Sequence, residues 1–251
     1  MNADEKNFER AKQLHQSGKI KEAQKIYLKL LKNYKKNHLL YYFVGTTYLQ
    51  LQNYDDAINS FKQSLIHNSF FAETYNNLGI ALAEKQKYSL AIDNYNKAIN
   101  LKTNYIDAYL NRGISFNKLK KYNEAITDLK LVINNDPYNS KAFNSLGNVL
   151  KELEKYNQAI TYYEKAIEID GNYLEPISNK ASVLETQKKF KDSLSLLNRI
   201  YKKNPNFLSL LQRTITNKMS IFEWEGFDEL KELIKNKLLN NEIILDPLII
   251  Y

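Results

Sequence analysis

Residues 140–173 read SKAFNSLGNVLKELEKYNQAITYYEKAIEIDGNY, and this stretch decides the fold. Its apolar residues recur at intervals of three to four, which is the period of an amphipathic helix. Small residues interrupt the apolar pattern at Gly147 and Ala159. Where two antiparallel helices cross closely, a larger side chain would hold the backbones apart. The stretch therefore predicts a pair of helices in close contact.

The same pattern recurs along the chain every 34 residues, as the two series of small residues show: Gly45, Gly79, Gly113 and Gly147; Ala57, Ala91, Ala125 and Ala159. A fixed period of this length is typical of a solenoid, in which each unit buries its apolar face only against its neighbours. The period predicts six uninterrupted units: 4–37, 38–71, 72–105, 106–139, 140–173 and 174–207. Each unit is expected to be two helices, joined near Gln52-Asn53, Lys87, Lys121 and Lys155 in the four central units. Residues 208–251 are expected to form a capping helix and a connector.

The recurring residues resemble the tetratricopeptide repeat, whose pattern is W-x2-L-G-x2-Y…A-x3-F…P. In the third unit the matching residues are Tyr75, Leu78, Gly79, Leu82, Ala91, Tyr95 and Ala98. The pattern departs from the family at both ends of the chain and at Arg112, which stands where leucine is usual. The resemblance covers residues 4–207 and implies an all-α, right-handed superhelical solenoid of antiparallel helix pairs.

Composition is that of a folded protein, since 43% of the residues are hydrophobic and 25% are charged. The chain has no cysteine, which excludes disulfides and thiolate metal sites. The N-terminal residues lack the apolar core of a signal peptide, and no later run has the length of a membrane span. A cytoplasmic protein is therefore the default expectation.

The net charge of +8 is concentrated at one end of the chain. Residues 1–37 contain ten Lys or Arg and four Asp or Glu, a difference of +6, so the remaining residues carry +2. A track for a nucleic-acid backbone would need basic residues spread along the whole solenoid. The distribution disfavours nucleic acid as a partner. The lysines at the basic end are expected to keep the protein soluble, and an acidic partner there is the alternative.

No motif for catalysis or cofactor binding is present. The glycines form neither a G-x-G-x-x-G turn nor a P-loop, and no G-x-S-x-G sequence occurs. The three histidines, His15, His38 and His67, lack the spacing of metal ligands on one helix face. The sequence therefore predicts no catalytic residue, cofactor or metal ion, and no enzyme activity for these 251 residues.

In such a superhelix the first helix of each pair builds the inner, concave wall. This placement predicts a peptide-binding groove lined by Asn76, Asn77, Asn111, Asn117, Asn144, Asn148, Lys151 and Asn179. Asparagine amides both donate and accept hydrogen bonds, so a row of them can pair with an extended peptide backbone of any sequence. Chance placement is the alternative, because asparagine is abundant throughout the chain. We expect a protein–protein interaction scaffold that binds an extended polypeptide.

The end of the chain has a second resemblance. Residues Phe222-Glu223-Trp224, Phe227, the predicted helix 228–239 and Pro247-Leu248 resemble the connector that precedes the catalytic region of protein O-linked N-acetylglucosaminyltransferases. The cysteine and the phenylalanine of the family pattern are missing. That family lines its superhelix with asparagines at the sixth repeat position, where this chain has Asn77, Asn111 and Asn179. The resemblance implies an alternative function, the substrate-recognition part of such a glycosyltransferase, whose catalytic region is absent from this chain.

Overall fold

The computed structural model describes residues 2–203 and 208–221, and within these ranges the chain forms α-helices and no strand. The helices are α1 (Ala3–Gln16), α2 (Ile20–Asn33), α3 (His38–Gln50), α4 (Tyr54–His67), α5 (Ala72–Glu84), α6 (Tyr88–Leu101), α7 (Ile106–Lys118), α8 (Tyr122–Asn135), α9 (Ser140–Glu152), α10 (Tyr156–Ile169), α11 (Leu174–Thr186), α12 (Phe190–Lys203) and α13 (Leu208–Ser220). The all-α prediction is confirmed.

The helices belong to two compact units, one ending at Pro137 and one beginning at Tyr138. In the first unit α1 packs on α2, α3 on α4, α5 on α6 and α7 on α8, and the second helix of each pair packs on the first helix of the next. In the second unit α9 packs on α10, α10 on α11, α11 on α12 and α12 on α13. The predicted pairing of consecutive helices is confirmed.

The same turn joins the two helices of each complete pair. The second residue after the first helix has a φ of 58 to 60° in five pairs, at Gln52, Gln86, Lys120, Glu154 and Lys188. Gly18 holds the equivalent place in the first pair, with a φ of 79°. Gln52 N donates to Leu49 O at 3.0 Å, and Asn53 N donates to Tyr48 O at 2.9 Å. These two bonds are a Schellman motif, which satisfies the last carbonyls of a helix and reverses the chain.

Small residues of the repeat lie where paired helices cross. Each of three glycines contacts an aromatic ring of the second helix in its pair, giving the contacts Gly45 with Phe61, Gly79 with Tyr95 and Gly147 with Tyr163. The three rings are almost fully buried. In the fourth pair Leu129 replaces the ring and contacts Gly113. The glycines thus allow the close helix crossing that the 34-residue period predicts.

The proposed boundaries of the six repeats and of the terminal segment stay predictions. The predicted connector, with Phe222-Glu223-Trp224 and the helix 228–239, lies outside the described residues. Among the helices that are described, none combines the length and the apolar character needed to cross a membrane.

Candidate functional site

The predicted groove residues lie on the first helices of successive pairs. In the first unit, Asn76 and Asn77 are on α5, and Asn111 and Asn117 are on α7. In the second unit, Asn144, Asn148 and Lys151 are on α9, and Asn179 is on α11. We call Tyr42, Asn76, Asn77 and Asn111 the first-unit face, and Asn144, Asn148 and Asn179 the second-unit face.

A chain of hydrogen bonds links the side chains of the first-unit face. Asn111 Nδ2 donates to Asn76 Oδ1 at 3.1 Å, and Asn76 Nδ2 donates to Asn77 Oδ1 at 3.3 Å. Asn77 Nδ2 in turn donates to the Tyr42 hydroxyl at 3.4 Å. These hydrogen bonds connect α7 to α5 and α5 to α3. Asn76 is 4% exposed, so its amide is buried between these helices.

The second-unit face has a similar network, centred on Asn179. Its Nδ2 donates to Asn144 Oδ1 at 2.9 Å and to Asn148 Oδ1 at 3.0 Å. Asn148 Oδ1 also accepts from the Tyr163 hydroxyl at 2.8 Å. Asn144 is 2% exposed and donates through Nδ2 to the Tyr173 hydroxyl at 3.1 Å. This network fixes the first helices α9 and α11 against each other.

One rule relates four of the bonds between neighbouring first helices. The donor stands 35 residues after the acceptor, at the sixth position of its repeat, while the acceptor stands at the fifth position of the preceding repeat. The pairs are Asn77 with Tyr42, Asn111 with Asn76, Asn179 with Asn144 and Arg213 with Ser178. Both positions were predicted to line the groove, with Asn76 and Asn144 at the fifth position, but the bonds between them were not predicted. Polar residues that recur 35 apart were the signal for these bonds.

Several amide atoms remain available after these bonds are made. Asn111 Oδ1, Asn179 Oδ1 and Asn148 Nδ2 have no hydrogen-bond partner within the described parts of the chain. All three residues are partly exposed. Asn117 is also partly exposed, although its Oδ1 is buried and has no partner there. An amide that is fixed by one bond and open at its other atom is suited to contacting a ligand.

Buried Asn76 and Asn144 differ from the other predicted groove residues. Both amide ends of Asn76 are bonded, to Asn111 and to Asn77. Asn144 is bonded at both ends as well, since it accepts from Asn179 and donates to neighbouring oxygens. These two side chains therefore hold helices together, and the exposed asparagines beside them offer the free atoms.

Two phenols are hydrogen-bonded to these faces, Tyr42 within the first-unit face and Tyr173 beside Asn144 of the second-unit face. Burial, with a smaller effect of the Glu73 carboxylate, raises the pKa of the Tyr42 phenol. Burial and the neighbouring Glu175 carboxylate likewise raise the pKa of the Tyr173 phenol, which donates to Glu175 Oε2 at 2.9 Å. Each phenol is therefore protonated at neutral pH, as an unshifted phenol with a pKa of about 10 also is. The asparagines and phenols here are uncharged, and they make hydrogen bonds to one another and to the Glu175 carboxylate.

Lys151 and Glu73, which lie near these faces, each have a partner of opposite sign. Lys151 Nζ lies 3.9 Å from the Glu152 carboxylate, and Glu73 lies 3.5 Å from Lys102 Nζ. In the residues that the structure describes, His, Asp and Glu side chains form no group of three or more that could hold a metal ion. The arrangement is equipped for hydrogen bonding to a polar ligand.

Comparisons with known proteins match the fold. Models described as tetratricopeptide repeat match residues 39–65, 107–137 and 140–173, and a model described as TPR repeat matches residues 79–120. No curated protein sequence matches the chain significantly.

Solved structures show the same likeness. The MamA protein is 27% identical with a TM-score of 0.58, over 67% of this chain and 92% of that one. YrrB, described as a TPR protein with an unusual peptide-binding site, is 22% identical with a TM-score of 0.57, over 68% and 88%. PilW, a type IV pilus biogenesis factor, is 20% identical with a TM-score of 0.75, over 84% and 98%. The predicted solenoid class of helix pairs is confirmed.

Proposed function

We propose that this chain, a tetratricopeptide-repeat protein, is a scaffold that binds an extended polypeptide along the first-helix faces of its units. The observation that carries the proposal is the set of half-bonded amides at Asn111, Asn148 and Asn179. Free Oδ1 atoms accept from peptide N–H groups, and the free Nδ2 of Asn148 donates to a peptide carbonyl. Such contacts recognise a backbone rather than a sequence.

Bonds between repeats favour this function energetically. An amide whose rotamer is already fixed loses little side-chain entropy when it contacts a ligand. Each hydrogen bond contributes a net of about 0.5–1.5 kcal/mol, so a few of them give modest affinity. A ligand that contacts several asparagines of one unit in an extended conformation gathers these contributions, which favours a peptide segment over a single residue.

The comparison with YrrB supports the proposal at the level of the protein class. Its description records a peptide-binding site on a fold of the same kind. At 22% identity the similarity shows a common fold only. The choice of binding residues therefore rests on the asparagines of this chain and not on YrrB.

Selection of peptides against the full chain tests the proposal. A displayed library of random peptides is selected on the purified protein, and an enriched peptide is labelled with fluorescein. Its Kd is then measured by fluorescence anisotropy. The triple variant Asn111→Ala, Asn148→Ala, Asn179→Ala is expected to bind at least about tenfold more weakly, which corresponds to about 1.4 kcal/mol.

A matched variant controls for the loss of three asparagines. Asn59, Asn100 and Asn123 are exposed residues on the second helices α4, α6 and α8. Their joint substitution by alanine should leave the Kd unchanged, since they lie away from the first-helix faces. Equal affinity of the wild type and the first-helix variant, or enrichment of no peptide at all, would contradict the proposed function.

Recurrence of Asn77, Asn111 and Asn179 at the sixth repeat position favours a second candidate function. The chain would be the substrate-recognition part of a protein O-linked N-acetylglucosaminyltransferase-like enzyme. The coding sequence downstream of Tyr251 tests this candidate. A sugar-nucleotide-binding transferase region there supports it. Where a stop codon follows, co-purification of a separately encoded transferase is required, and its absence rejects the candidate.

A further inference from the structure

Helix α2 carries a row of lysines on its exposed side. Lys21, Lys25, Lys29 and Lys32 are all exposed, and Leu28 between them is 37% exposed. At the angular step of an α-helix these five side chains fall within an arc of roughly 100°. We call these five residues the α2 lysine face.

The opposite side of α2 is fixed in the core of the first unit. Ala23 and Tyr27 are 0% exposed, and Leu30 is 4% exposed. The Tyr27 ring stacks on the ring of Phe43, with centroids 5.2 Å apart. Rotation of the helix would break this packing, so the lysines are held in one row that faces away from the core.

Nearby carboxylates do not neutralise this row. Glu9 pairs with Lys12 at 3.1 Å, and Asp4 accepts from the Tyr34 hydroxyl at 2.9 Å. Glu22 is the sole acidic residue within α2. No lysine of the α2 lysine face has an ion pair within residues 2–203 and 208–221. The local surface potential is therefore positive, and Lys35 and Lys36 extend it beyond the helix.

We propose that the α2 lysine face docks an acidic helical segment of a partner polypeptide, whose carboxylates flank an apolar side chain that packs on Leu28. Along a helix, Lys21 and Lys25 are about 6 Å apart and the row from Lys21 to Lys32 is about 16 Å long. Glutamates four residues apart on a partner helix repeat at the same distance. The charges are complementary along the whole row, and the central leucine matches an apolar residue.

The composition of the face favours a polypeptide over a nucleic acid or a lipid surface. Nucleic-acid surfaces combine basic residues with aromatic rings on which bases stack, and the α2 lysine face has no aromatic ring. A phosphate backbone offers nothing apolar to Leu28. Helices that bind in a membrane surface bury their apolar side among lipids, whereas the apolar side of α2 packs inside the protein.

A designed peptide tests the proposal on the full chain. The probe is a fluorescein-labelled helical peptide with glutamates four residues apart and a central leucine, and its control replaces each glutamate by glutamine. We expect the acidic probe alone to bind, and its affinity to fall at least tenfold between about 0.05 M and about 0.5 M NaCl. The quadruple variant Lys21→Gln, Lys25→Gln, Lys29→Gln, Lys32→Gln should bind at least tenfold more weakly.

Two further variants separate the effect of the α2 lysine face on binding from the effect of net charge. Substituting the exposed Lys62, Lys118, Lys120 and Lys130 of the same unit by glutamine removes equal charge elsewhere and should change the Kd less than twofold. Leu28→Ser should weaken binding severalfold, since it removes the apolar contact and no charge.

Circular dichroism confirms that each variant is folded. Equal binding by the quadruple variant, or equal binding of the glutamine peptide, overturns the proposal. So does tighter binding of a single-stranded RNA or of phosphatidylserine vesicles with the same dependence on the four lysines.

Discussion

A Cβ atom on Gly79 would lie 2.5 Å from Cε1 of Tyr95, because the Tyr95 ring lies directly against the backbone of α5. Real Cβ atoms do not approach a ring this closely, so residue 79 must lack a side chain while the ring is in place. The equivalent distance in the fourth pair is longer, because a Cβ atom on Gly113 would lie 3.0 Å from Leu129 Cγ. The two glycines therefore tolerate a methyl group differently.

Gly79→Ala should destabilise the protein, whereas Gly113→Ala should be close to neutral. Alanine gains about 1 kcal/mol over glycine within a helix, but overpacking a core costs about 1–3 kcal/mol. We expect Gly79→Ala to lower the free energy of unfolding by about 1–2 kcal/mol. Urea denaturation followed by circular dichroism measures both variants. Equal shifts of their midpoints would show that the Tyr95 ring moves aside freely.

Replacing a residue that has a positive φ with glycine should stabilise the chain. Gln86 has a φ of 58°, which strains any residue with a Cβ atom. Gln86→Gly should raise the free energy of unfolding by about 0.5–1 kcal/mol. This figure is what remains of the relieved backbone strain once the greater conformational entropy of glycine in the unfolded chain is subtracted. The reverse change, Gly18→Ala, should lower it by about 1 kcal/mol. A Cβ on Gly18 meets no atom within 4 Å, so only the backbone is tested there. Urea denaturation measures both changes in the free energy of unfolding. A change of the opposite sign in either variant refutes this explanation.

Arg112 and Asp128 form an ion pair in which each residue compensates the charge of the other. Arg112 Nε and Nη2 donate to the two carboxylate oxygens at 2.7 and 2.8 Å, and Nη1 donates to Asn96 Oδ1 at 2.6 Å. The Asp128 side chain is 6% exposed. Asp128→Ala should cost about 3 kcal/mol, because it leaves a largely buried guanidinium without its carboxylate.

The double variant Arg112→Leu, Asp128→Ala should recover most of that loss. Leucine is the residue that the third and fifth repeats use at this position, as Leu78 and Leu146. Replacing both members of a buried pair by apolar residues removes the uncompensated charge. Additive losses in a double-mutant cycle, measured by urea denaturation, would mean that the two residues act independently.

Stability should fall steeply at alkaline pH. Burial raises the pKa of the Tyr95 phenol, with Glu84 adding to the effect and a bond to Ser115 opposing it. A group whose folded-state pKa is raised contributes stability fully below its unfolded value of about 10, and that stability is lost as the pH rises towards the folded value. Urea midpoints should be constant up to about pH 9 and fall above about pH 10. Tyr95→Phe should reduce the slope above pH 10, and an unchanged slope would exclude Tyr95 as a cause.

Helices and their pairing were predictable because their signals are local. The apolar period and the 34-residue step place Gly147 and Ala159 on the contacting sides of two helices without any knowledge of the rest of the chain. The positive φ at residues such as Gln86 and Glu154 was not predictable in this way. Glutamine and glutamate carry no turn signal, and the packing of the two helices imposes the left-handed conformation.

Positions of the asparagines were predictable, whereas their roles were not. Asn76 and Asn77 are adjacent, yet the first is buried and the second is partly exposed. Which of them faces the neighbouring helix depends on how the helix is rotated in its pair, and that rotation is set by the core. Arg112 stood out in the sequence as a departure from the repeat. Its acceptors, Asp128 and Asn96, are near it only in three dimensions.

The bonds between donor and acceptor 35 residues apart make the chain modular. Excision of residues 72–105, one whole repeat, would give Asn111 the place of Asn77, 35 residues after Tyr42, where a donor and an acceptor again meet. Loss of a number of residues that is not a multiple of 34 would misalign them. Duplication or deletion of a gene segment that encodes 34 residues therefore preserves these hydrogen bonds between neighbouring repeats. Chains of this kind can gain or lose whole repeats without a new interface.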